Sequence, residues 1–373
     1  MGYRAMGRAH AGLAHIGARS AGQGTVEYVA LILLVAVVLA GVVAATRKSS
    51  LGDGGIARTI VSKLKDALDS VKSPTAEGTD HGSRGLATSR AMAPASDAAT
   101  RPIGVFDSGV GGLTVLHELL VRLPHEDFVY LADTARFPYG PRPAEELRRF
   151  SLEIAEELVA RRVKLLVVAC NSASAAAFPA LQSRMMETTL GVDVIGVVSP
   201  AAVQAVAATR NGRVGLLATD VTVRSGAYAE AIVVIDPHVE LVSVPCHDLA
   251  ETIQRGFPFD EELVETVRGY CKPLREAGVD TVILGSTHYP LVRPIIQRML
   301  GRGVELITSG GPLSRQVDHV LGSRGLGHPR EGEGDYRFLC TGEVPPFKEL
   351  GTRFLQMPLG EVEQVELPAA VHG

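Results

Sequence analysis

The chain has 373 residues and a nearly balanced charge, with 37 Lys and Arg against 41 Asp and Glu. This balance excludes the basic surface that is typical of nucleic-acid-binding domains. The hydrophobic content of 46% is that of an ordinary globular protein with one to three domains. The four cysteines form no Cys-x-x-Cys pair, which argues against structural zinc and a disulfide framework and favours a reducing compartment. They are Cys170, Cys246, Cys271 and Cys340.

The N-terminal part carries an uncharged stretch that is long enough to span a membrane. Residues 1–27 are small and basic, and Tyr28–Thr46 then runs for 19 residues without a charge. This length predicts one transmembrane helix, because a signal-peptide core is usually shorter. The junction Gly22–Tyr28 resembles the processing site of type IVb (Flp-like) pilins, where a peptidase cuts after Gly with Glu five residues later. An apolar stripe predicts an amphipathic helix after it, formed by Ile56, Ile60, Leu64, Leu68 and Val71.

The following segment separates this part from an α/β body. Ser73–Arg101 is rich in Ser, Ala, Gly, Thr and Pro, which predicts a flexible linker. From about Pro102 strands alternate with helices, the pattern of an α/β fold with mostly parallel sheets. The predicted strands are Ile103–Phe106, Phe128–Ala132, Leu165–Ala169, Val192–Val197, Val214–Ala218, Glu240–Val244 and Thr281–Leu284. The predicted helices include Leu113–Arg122, Glu145–Arg162 and Glu261–Glu276.

Two of these strands end at a small nucleophilic side chain. Cys170 follows an apolar strand, and Asn171–Ser174 then supplies good N-cap chemistry for a helix. Ligands bind at this edge of open α/β sheets, and a helix N-terminus can lower the pKa of a thiol. Ser286 follows Thr281–Gly285 in the same way. A buried, inert cysteine is the alternative at Cys170, but the repetition predicts two similar α/β halves that face each other across a cleft.

Two loops at other strand ends carry polar residues. Asp107–Gly112 reads Asp-Ser-Gly-Val-Gly-Gly, which differs from the dinucleotide fingerprint G-x-G-x-x-G. A tight turn explains its glycines, but not the Asp and Ser at the carboxyl end of a strand. Asp133–Pro143 is a stiff loop with prolines around Tyr-Gly, in which Arg136 and Arg142 could meet a carboxylate. A structured surface loop is the alternative there.

Four motifs in order indicate a known family. Asp-Ser-Gly-x-Gly-Gly, Asp-Thr-x-x-x-Pro-Tyr-Gly, Cys-Asn-Ser-Ala and Gly-Ser-Thr-His-Tyr-Pro resemble those of the glutamate racemases, in the cofactor-independent aspartate/glutamate racemase superfamily. The resemblance covers about Pro102 to the C-terminus. It implies synthesis of D-glutamate for peptidoglycan with no cofactor and no metal. In such enzymes one thiolate removes the α-proton, and a thiol on the opposite face returns one.

The resemblance also implies roles for individual residues. The catalytic set carried over is Cys170, Ser286, Asp107 and His288. The substrate-binding set is Asp107, Ser108, Tyr139, Gly140, Asn171, Ser172, Ser286, Thr287 and His288.

This sequence departs from the family at two of those positions. Ser286 stands where the family has its second cysteine, and Ser172 replaces the usual Thr. A serine hydroxyl is far less acidic than a thiol, whose free pKa is about 8.5, so Ser286 needs a general base, with His288 the obvious candidate. In the family the second thiol deprotonates L-glutamate, so D-glutamate synthesis is the direction affected. Two alternatives stay open: a glutamate-binding or regulatory protein on the same fold, and a one-thiol reaction such as decarboxylation.

The expected organisation combines these parts. Residues 1–48 form a basic, pilin-like membrane segment and 49–101 the amphipathic segment and linker. Residues 102–196 with 304–373 form one racemase domain and 197–303 a second, related by pseudo-twofold symmetry with the active site between them.

The expected location depends on the N-terminal part. The positive-inside tendency places the racemase domain in the cytoplasm, whereas the pilin resemblance places it outside, as in an envelope or pilus-related fusion. Translation from Met92 would give a soluble cytoplasmic protein. The expected partners are glutamate, the membrane through residues 28–46 and a second copy in a homodimer, but no nucleic acid.

Overall fold

The computed structural model describes residues 97–187, 191–255 and 260–367, all within one compact unit, Arg90–Gly373. The predicted transmembrane span, the pilin-like junction and the amphipathic stripe lie outside these residues. Within the described ranges, no helix is both long and apolar enough to cross a membrane.

The described chain alternates strands and helices, as the sequence predicts. The strands are β1 Ile103–Asp107, β2 Phe128–Ala132, β3 Leu165–Val168, β4 Asp193–Gly196, β5 Arg213–Ala218, β6 Glu240–Pro245, β7 Thr281–Gly285, β8 Glu305–Ile307, β9 Tyr336–Cys340 and β10 Val362–Gln364. The α-helices are α1 Leu113–Arg122, α2 Ala144–Ala160, α3 Asn171–Glu187, α4 Val198–Ala208, α5 Asp220–Arg224, α6 Ala227–Ile235, α7 Leu249–Gln254, α8 Glu261–Glu276, α9 Arg293–Leu300, α10 Gly310–Arg324 and α11 Val344–Leu355. Short 3₁₀ helices occupy Thr134–Arg136 and Tyr289–Val292.

Two parallel sheets form the framework. The first has the strand order β10-β9-β2-β1-β3-β4 and the second the order β6-β5-β7-β8. Every neighbouring pair of strands in them is parallel. The four strands β2-β1-β3-β4 therefore have the same order as β6-β5-β7-β8, so the two halves share one topology.

The inner strands are buried because their residues are apolar in an unbroken run. Every residue of β1, β2, β3 and β7 is buried, as expected for parallel strands that are covered on both faces. One hydrophobic cluster contains Val105 of the first sheet and Leu284 of the second, so the core is continuous between the sheets.

The C-terminal part of the chain contributes to both sheets. Strand β8 pairs with β7 in the second sheet, with Thr281 opposite Glu305. The predicted boundary at 304 is therefore a few residues too early, because Leu306 and Ile307 are buried in the core of the second half. Strand β9 then pairs with β2 in the first sheet.

The end of the predicted linker is packed against the folded body. Ala99 is buried, and the Lys164 ammonium donates a hydrogen bond to its carbonyl oxygen at 2.7 Å. A buried ammonium needs such acceptors, and Asp97 adds an ion pair to Arg162 at 2.9 Å. The prediction of a flexible linker is therefore wrong for residues 97–101, and residues 73–96 lie outside the described part.

Candidate active site

The carboxyl ends of strands from both sheets lie around one cavity. Cys170 lies just beyond β3, Thr219 follows β5 and Ser286 follows β7, as parallel strands of matching register require. The cavity is small, with about 30 Å³ accessible to water. The lining residues are Ser108, Phe137, Pro138, Tyr139, Gly140, Pro141, Cys170, Asn171, Ser172, Thr219, Cys246, His247, Ala250, Glu251, Ser286, Thr287 and His288.

The cavity brings together nearly all the residues that the resemblance selected. Each of them lines it except Asp107, which is fully buried behind the wall at the end of β1. Asp107 reaches the site through a hydrogen bond with the Cys170 thiol. The predicted set therefore forms one cluster in space.

Burial dominates the electrostatics of Cys170. Its sulfur accepts a hydrogen bond from the Ala173 backbone N–H at 3.4 Å, in the first turn of α3. Burial and the neighbouring Asp107 charge nevertheless raise the pKa of the thiol to about 12, although hydrogen bonds from Ala173 and Ser108 lower it. The helix N-terminus therefore lowers this pKa as expected, but the desolvation of a buried thiolate outweighs it in the free protein, so the net shift is upward.

Asp107 is the acidic group beside that thiol. Burial raises its pKa from 3.8 to about 6, partly offset by hydrogen bonds from Gly112, Gly109 and Thr287. The Gly109 N–H donates to Oδ2 at 3.0 Å and the Thr287 hydroxyl to Oδ1 at 3.3 Å. At neutral pH the carboxylate is therefore mostly ionised but only about one pH unit from protonation. It accepts a hydrogen bond from the Cys170 thiol.

The two predicted acid/base groups of the opposite half, Ser286 and His288, are uncharged. The Ser286 hydroxyl oxygen accepts a hydrogen bond from the His288 backbone N–H at 3.4 Å. The imidazole of His288 is buried, which lowers its pKa to about 3, so the ring is neutral at physiological pH. Its Nε2 lies 2.9 Å from Oε1 of Gln254. Because an amide oxygen accepts only, Nε2 carries the proton and Nδ1 keeps its lone pair.

The side chain of Asn171 has one end engaged and one end without a partner. Its Oδ1 accepts hydrogen bonds from the Tyr228 hydroxyl at 2.7 Å and from the Ser309 hydroxyl at 3.3 Å. Its Nδ2 is buried and has no hydrogen-bond partner among the described residues. An unpaired buried amide costs free energy. This amide is therefore available to a ligand with an acceptor, such as a carboxylate.

Hydroxyl groups line the wall beside Asn171. Ser172 Oγ lies 2.9 Å from Thr219 Oγ1, which lies 3.0 Å from Thr222 Oγ1. Gly140 approaches the same wall closely, because a Cβ atom there would lie 3.2 Å from Cβ of Thr219. Rotatable hydroxyls next to an amide N–H suit the oxygens of a small carboxylic acid.

The loop after β2 is fixed by its own ion pairs. The Asp133 carboxylate, which is fully buried, accepts from the Tyr139 hydroxyl and from Arg136 Nε, the latter at 2.7 Å. Arg142 pairs with Glu146 at 3.0 Å. Both arginines therefore meet a carboxylate, as the sequence suggested, and in each case it belongs to the chain itself.

Three contributors to the site were missed in the sequence. Gln254 contacts His288, Tyr228 contacts Asn171 and Thr219 contacts Ser172. A repeat of the strand-end pattern after β5 could have indicated Thr219. The other two lie on helices with no local motif. Within the described ranges, no three His, Cys, Asp or Glu residues lie close enough together to hold a metal ion.

Comparisons with known proteins agree with this geometry. Residues 113–311 match the family described as Asp/Glu/Hydantoin racemase. The chain is 46% identical over 269 residues to the glutamate racemase of Geobacter metallireducens. The aligned region covers 72% of this chain and 98% of that protein. It is 44% identical over 262 residues to the glutamate racemase of Acidothermus cellulolyticus, and this alignment covers 70% of this chain and 97% of that protein. The chain belongs to the Asp/Glu/hydantoin racemase family.

Solved structures of racemases have the same fold. A glutamate racemase isoform of Bacillus anthracis matches with a TM-score of 0.69 and 36% identity, over 72% of this chain and 99% of that one. The glutamate racemase of Francisella tularensis, solved in complex with D-glutamate, matches with a TM-score of 0.67 and 31% identity, over 73% and 100%. Cys170, Ser286 and His288 all lie within the matched part of this racemase-family chain.

Proposed function

We propose that the chain interconverts the enantiomers of glutamate without a cofactor. One observation carries the proposal: Cys170 and Ser286 lie beyond strands of different sheets and line one cavity, together with the buried amide of Asn171. The similarity to curated glutamate racemases over nearly their whole length supports glutamate as the substrate. The two halves of the body are then two domains related by pseudo-twofold symmetry, with the site between them.

The thiol half of the reaction follows from the contacts of Cys170. With substrate bound, the ionised Asp107 accepts the proton of the neighbouring thiol and later releases it to solvent. This step requires the bound substrate to lower the thiol pKa from the value of about 12 that burial gives it in the free protein. The thiolate then removes the α-proton, so that the C–H bond breaks, an S–H bond forms and the electron pair moves into the α-carboxylate. We assign the binding of the substrate's carboxylates and ammonium to Ser108, Tyr139, Gly140, Asn171, Ser172 and Thr287.

The other half returns a proton to the opposite face of the α-carbon. In our proposal the Ser286 hydroxyl donates it, and the resulting alkoxide is reprotonated from solvent with His288 assisting. An alkoxide is costly to form, because a serine hydroxyl is a much weaker acid than a thiol. We therefore expect turnover to be slower than in a variant with a cysteine at this position.

A second candidate function is favoured by one feature of this half. The neutral His288 ring is hydrogen-bonded to Gln254, and none of the described residues places a base on the Ser286 hydroxyl. A protein of this kind could bind glutamate, or exchange its α-proton on one face, without inverting it. Its role would then be regulatory.

Circular dichroism of L- and D-glutamate incubated with the purified full-length chain tests the two candidates. Racemisation that is abolished by Cys170→Ala, in a protein that keeps its far-UV spectrum, supports the enzyme. If only Ser286→Cys turns over, the binding or regulatory function replaces it. Absence of both turnover and glutamate binding in all three proteins would refute the proposed substrate.

The cellular setting is also a proposal. We propose that residues 28–46 anchor the chain with the racemase part in the cytoplasm, where D-glutamate is used for peptidoglycan, and that this part forms a homodimer. Translation from Met92 would remove the anchor. An immunoblot of the native protein distinguishes the two sizes, and membrane fractionation tests the anchor.

A further inference from the structure

The orientation of the Asn171 amide is set by two hydroxyl groups from other elements. Asn171 begins α3 of the first half, Tyr228 lies on α6 of the second half and Ser309 immediately precedes α10. Both hydroxyls converge on Oδ1 of Asn171, at 2.7 and 3.3 Å. All three side chains are buried, with exposures of 1–3%. Solvent therefore does not compete for these bonds.

In this arrangement the oxygen end of the amide is engaged and the nitrogen end is free. A hydroxyl group can donate to Oδ1, and an Asn amide has two N–H donors on its other end. Burial raises the pKa of Tyr228, so its hydroxyl keeps the proton that it donates. With Oδ1 occupied by two donors, Nδ2 is left buried and unpaired beside the cavity. Rotation of the amide by half a turn would let its N–H groups donate to the two hydroxyl oxygens, but it would place the carbonyl oxygen beside an anionic ligand.

We propose that Tyr228 and Ser309 are positioning residues, which hold the Asn171 amide with its N–H groups directed at a substrate carboxylate. This inference rests on the proposed function, since it takes glutamate as the ligand. It predicts an effect on substrate binding rather than on proton transfer, because neither hydroxyl touches Cys170 or Ser286. The contact also joins the two halves, since Asn171 lies in the first and Tyr228 in the second.

Tyr228→Phe in the full-length chain is the direct test. It removes one donor to Oδ1 and leaves the aromatic packing in place. We expect KM for glutamate to rise about tenfold with kcat within about twofold, the loss expected when a bond to a charged ligand is misdirected. Ser309→Ala should act in the same direction, and the double variant should have a larger KM than either.

Tyr289→Phe is the matched control. Tyr289 is equally buried, and its hydroxyl interacts with the Cys246 thiol and not with Asn171. Its KM should stay within twofold of wild type. A tenfold rise of KM in Tyr289→Phe too would show that the Tyr228 effect is a general loss of packing. A fall of kcat in Tyr228→Phe with KM unchanged would show that Tyr228 does not act on substrate binding. Either result would overturn the proposal.

Measurements on the wild-type protein distinguish failure of the proposed function from failure of the positioning role. If wild type binds glutamate without turnover, the dissociation constant from calorimetry takes the place of KM, and the same tenfold rise is expected for Tyr228→Phe. A wild-type protein that neither binds nor racemises glutamate overturns both statements. A wild-type protein that does either, with an unchanged constant in Tyr228→Phe, overturns the positioning role alone.

Discussion

The buried carboxyl group of Asp107 reduces the stability of the folded protein above about pH 4, and Asp107→Asn should remove that effect. Its pKa is about 6 in the folded protein against an ordinary 3.8, with burial as the largest cause. The folded state therefore binds the proton more tightly than the unfolded state, and stability contributed by this group falls as pH rises from 3.8 to 6. Above pH 6 the full difference corresponds to about 3 kcal/mol.

The pH dependence separates this effect from other consequences of the substitution. The ionisation cost is about 1 kcal/mol at pH 4.5 and about 3 kcal/mol at pH 8. The free energy of unfolding of Asp107→Asn, relative to wild type, should therefore increase by about 2 kcal/mol between these two pH values. Changes in the bonds to Gly109 and Thr287 shift the difference by a constant that does not depend on pH.

Urea unfolding followed by far-UV circular dichroism measures this difference, since the chain has no tryptophan. Asp280→Asn is the control, because the Asp280 pKa is lowered by hydrogen bonds from Thr209, Arg210 and Asn211 that together outweigh burial. A lowered pKa contributes stability that is present above the unfolded value of 3.8 and is lost only below it. The control should therefore be less stable than wild type by an amount nearly constant from pH 4.5 to 8. A pH-independent difference for Asp107→Asn would refute the reasoning.

Three further predictions concern the other half of the site. Ser286→Cys should raise kcat for glutamate racemisation on the order of 100-fold, as a competent acid/base group does, and unchanged turnover by circular dichroism would contradict this. Gln254→Glu should place a negative charge beside His288 and raise the NMR titration midpoint of His288 from about pH 3. Gln254→Met should not raise it. Equal His288 midpoints in the two variants would refute the assigned contact. Gly111→Ala should cost about 1–3 kcal/mol of stability, because its Cβ would lie 2.5 Å from Nδ1 of His288. In urea unfolding, Gly269→Ala, which meets nothing within 4 Å, should instead be neutral or stabilising.

The framework was predictable because its signals are local. Unbroken apolar runs identified β1, β2, β3 and β7, and the helices Leu113–Arg122 and Glu261–Glu276 have the predicted bounds. Parallel strands present their carboxyl ends at one edge, so residues that follow different strands meet there. This rule alone predicts that Cys170 lies at the carboxyl edge of the first sheet and Ser286 at the carboxyl edge of the second.

The rest depends on contacts between distant parts of the chain. Gln254 and His288 are 34 positions apart, and Tyr228 and Asn171 are 57 apart. No local pattern marks either pair, because their meeting is decided by how distant helices and loops pack against each other. The pKa of Cys170 was likewise not predictable from the sequence, since burial in the folded protein outweighs the helix N-terminus that the local motif indicates.

The central claim is that both faces of the α-carbon exchange protons in this site. Proton NMR of L- and D-glutamate incubated separately in D₂O with the full-length chain tests it most directly. The account predicts that each enantiomer loses its α-proton signal and yields the other, and that Cys170→Ala abolishes both changes. Exchange of one enantiomer without inversion would contradict two-sided catalysis and leave a one-sided site, and no exchange of either would contradict the racemase itself.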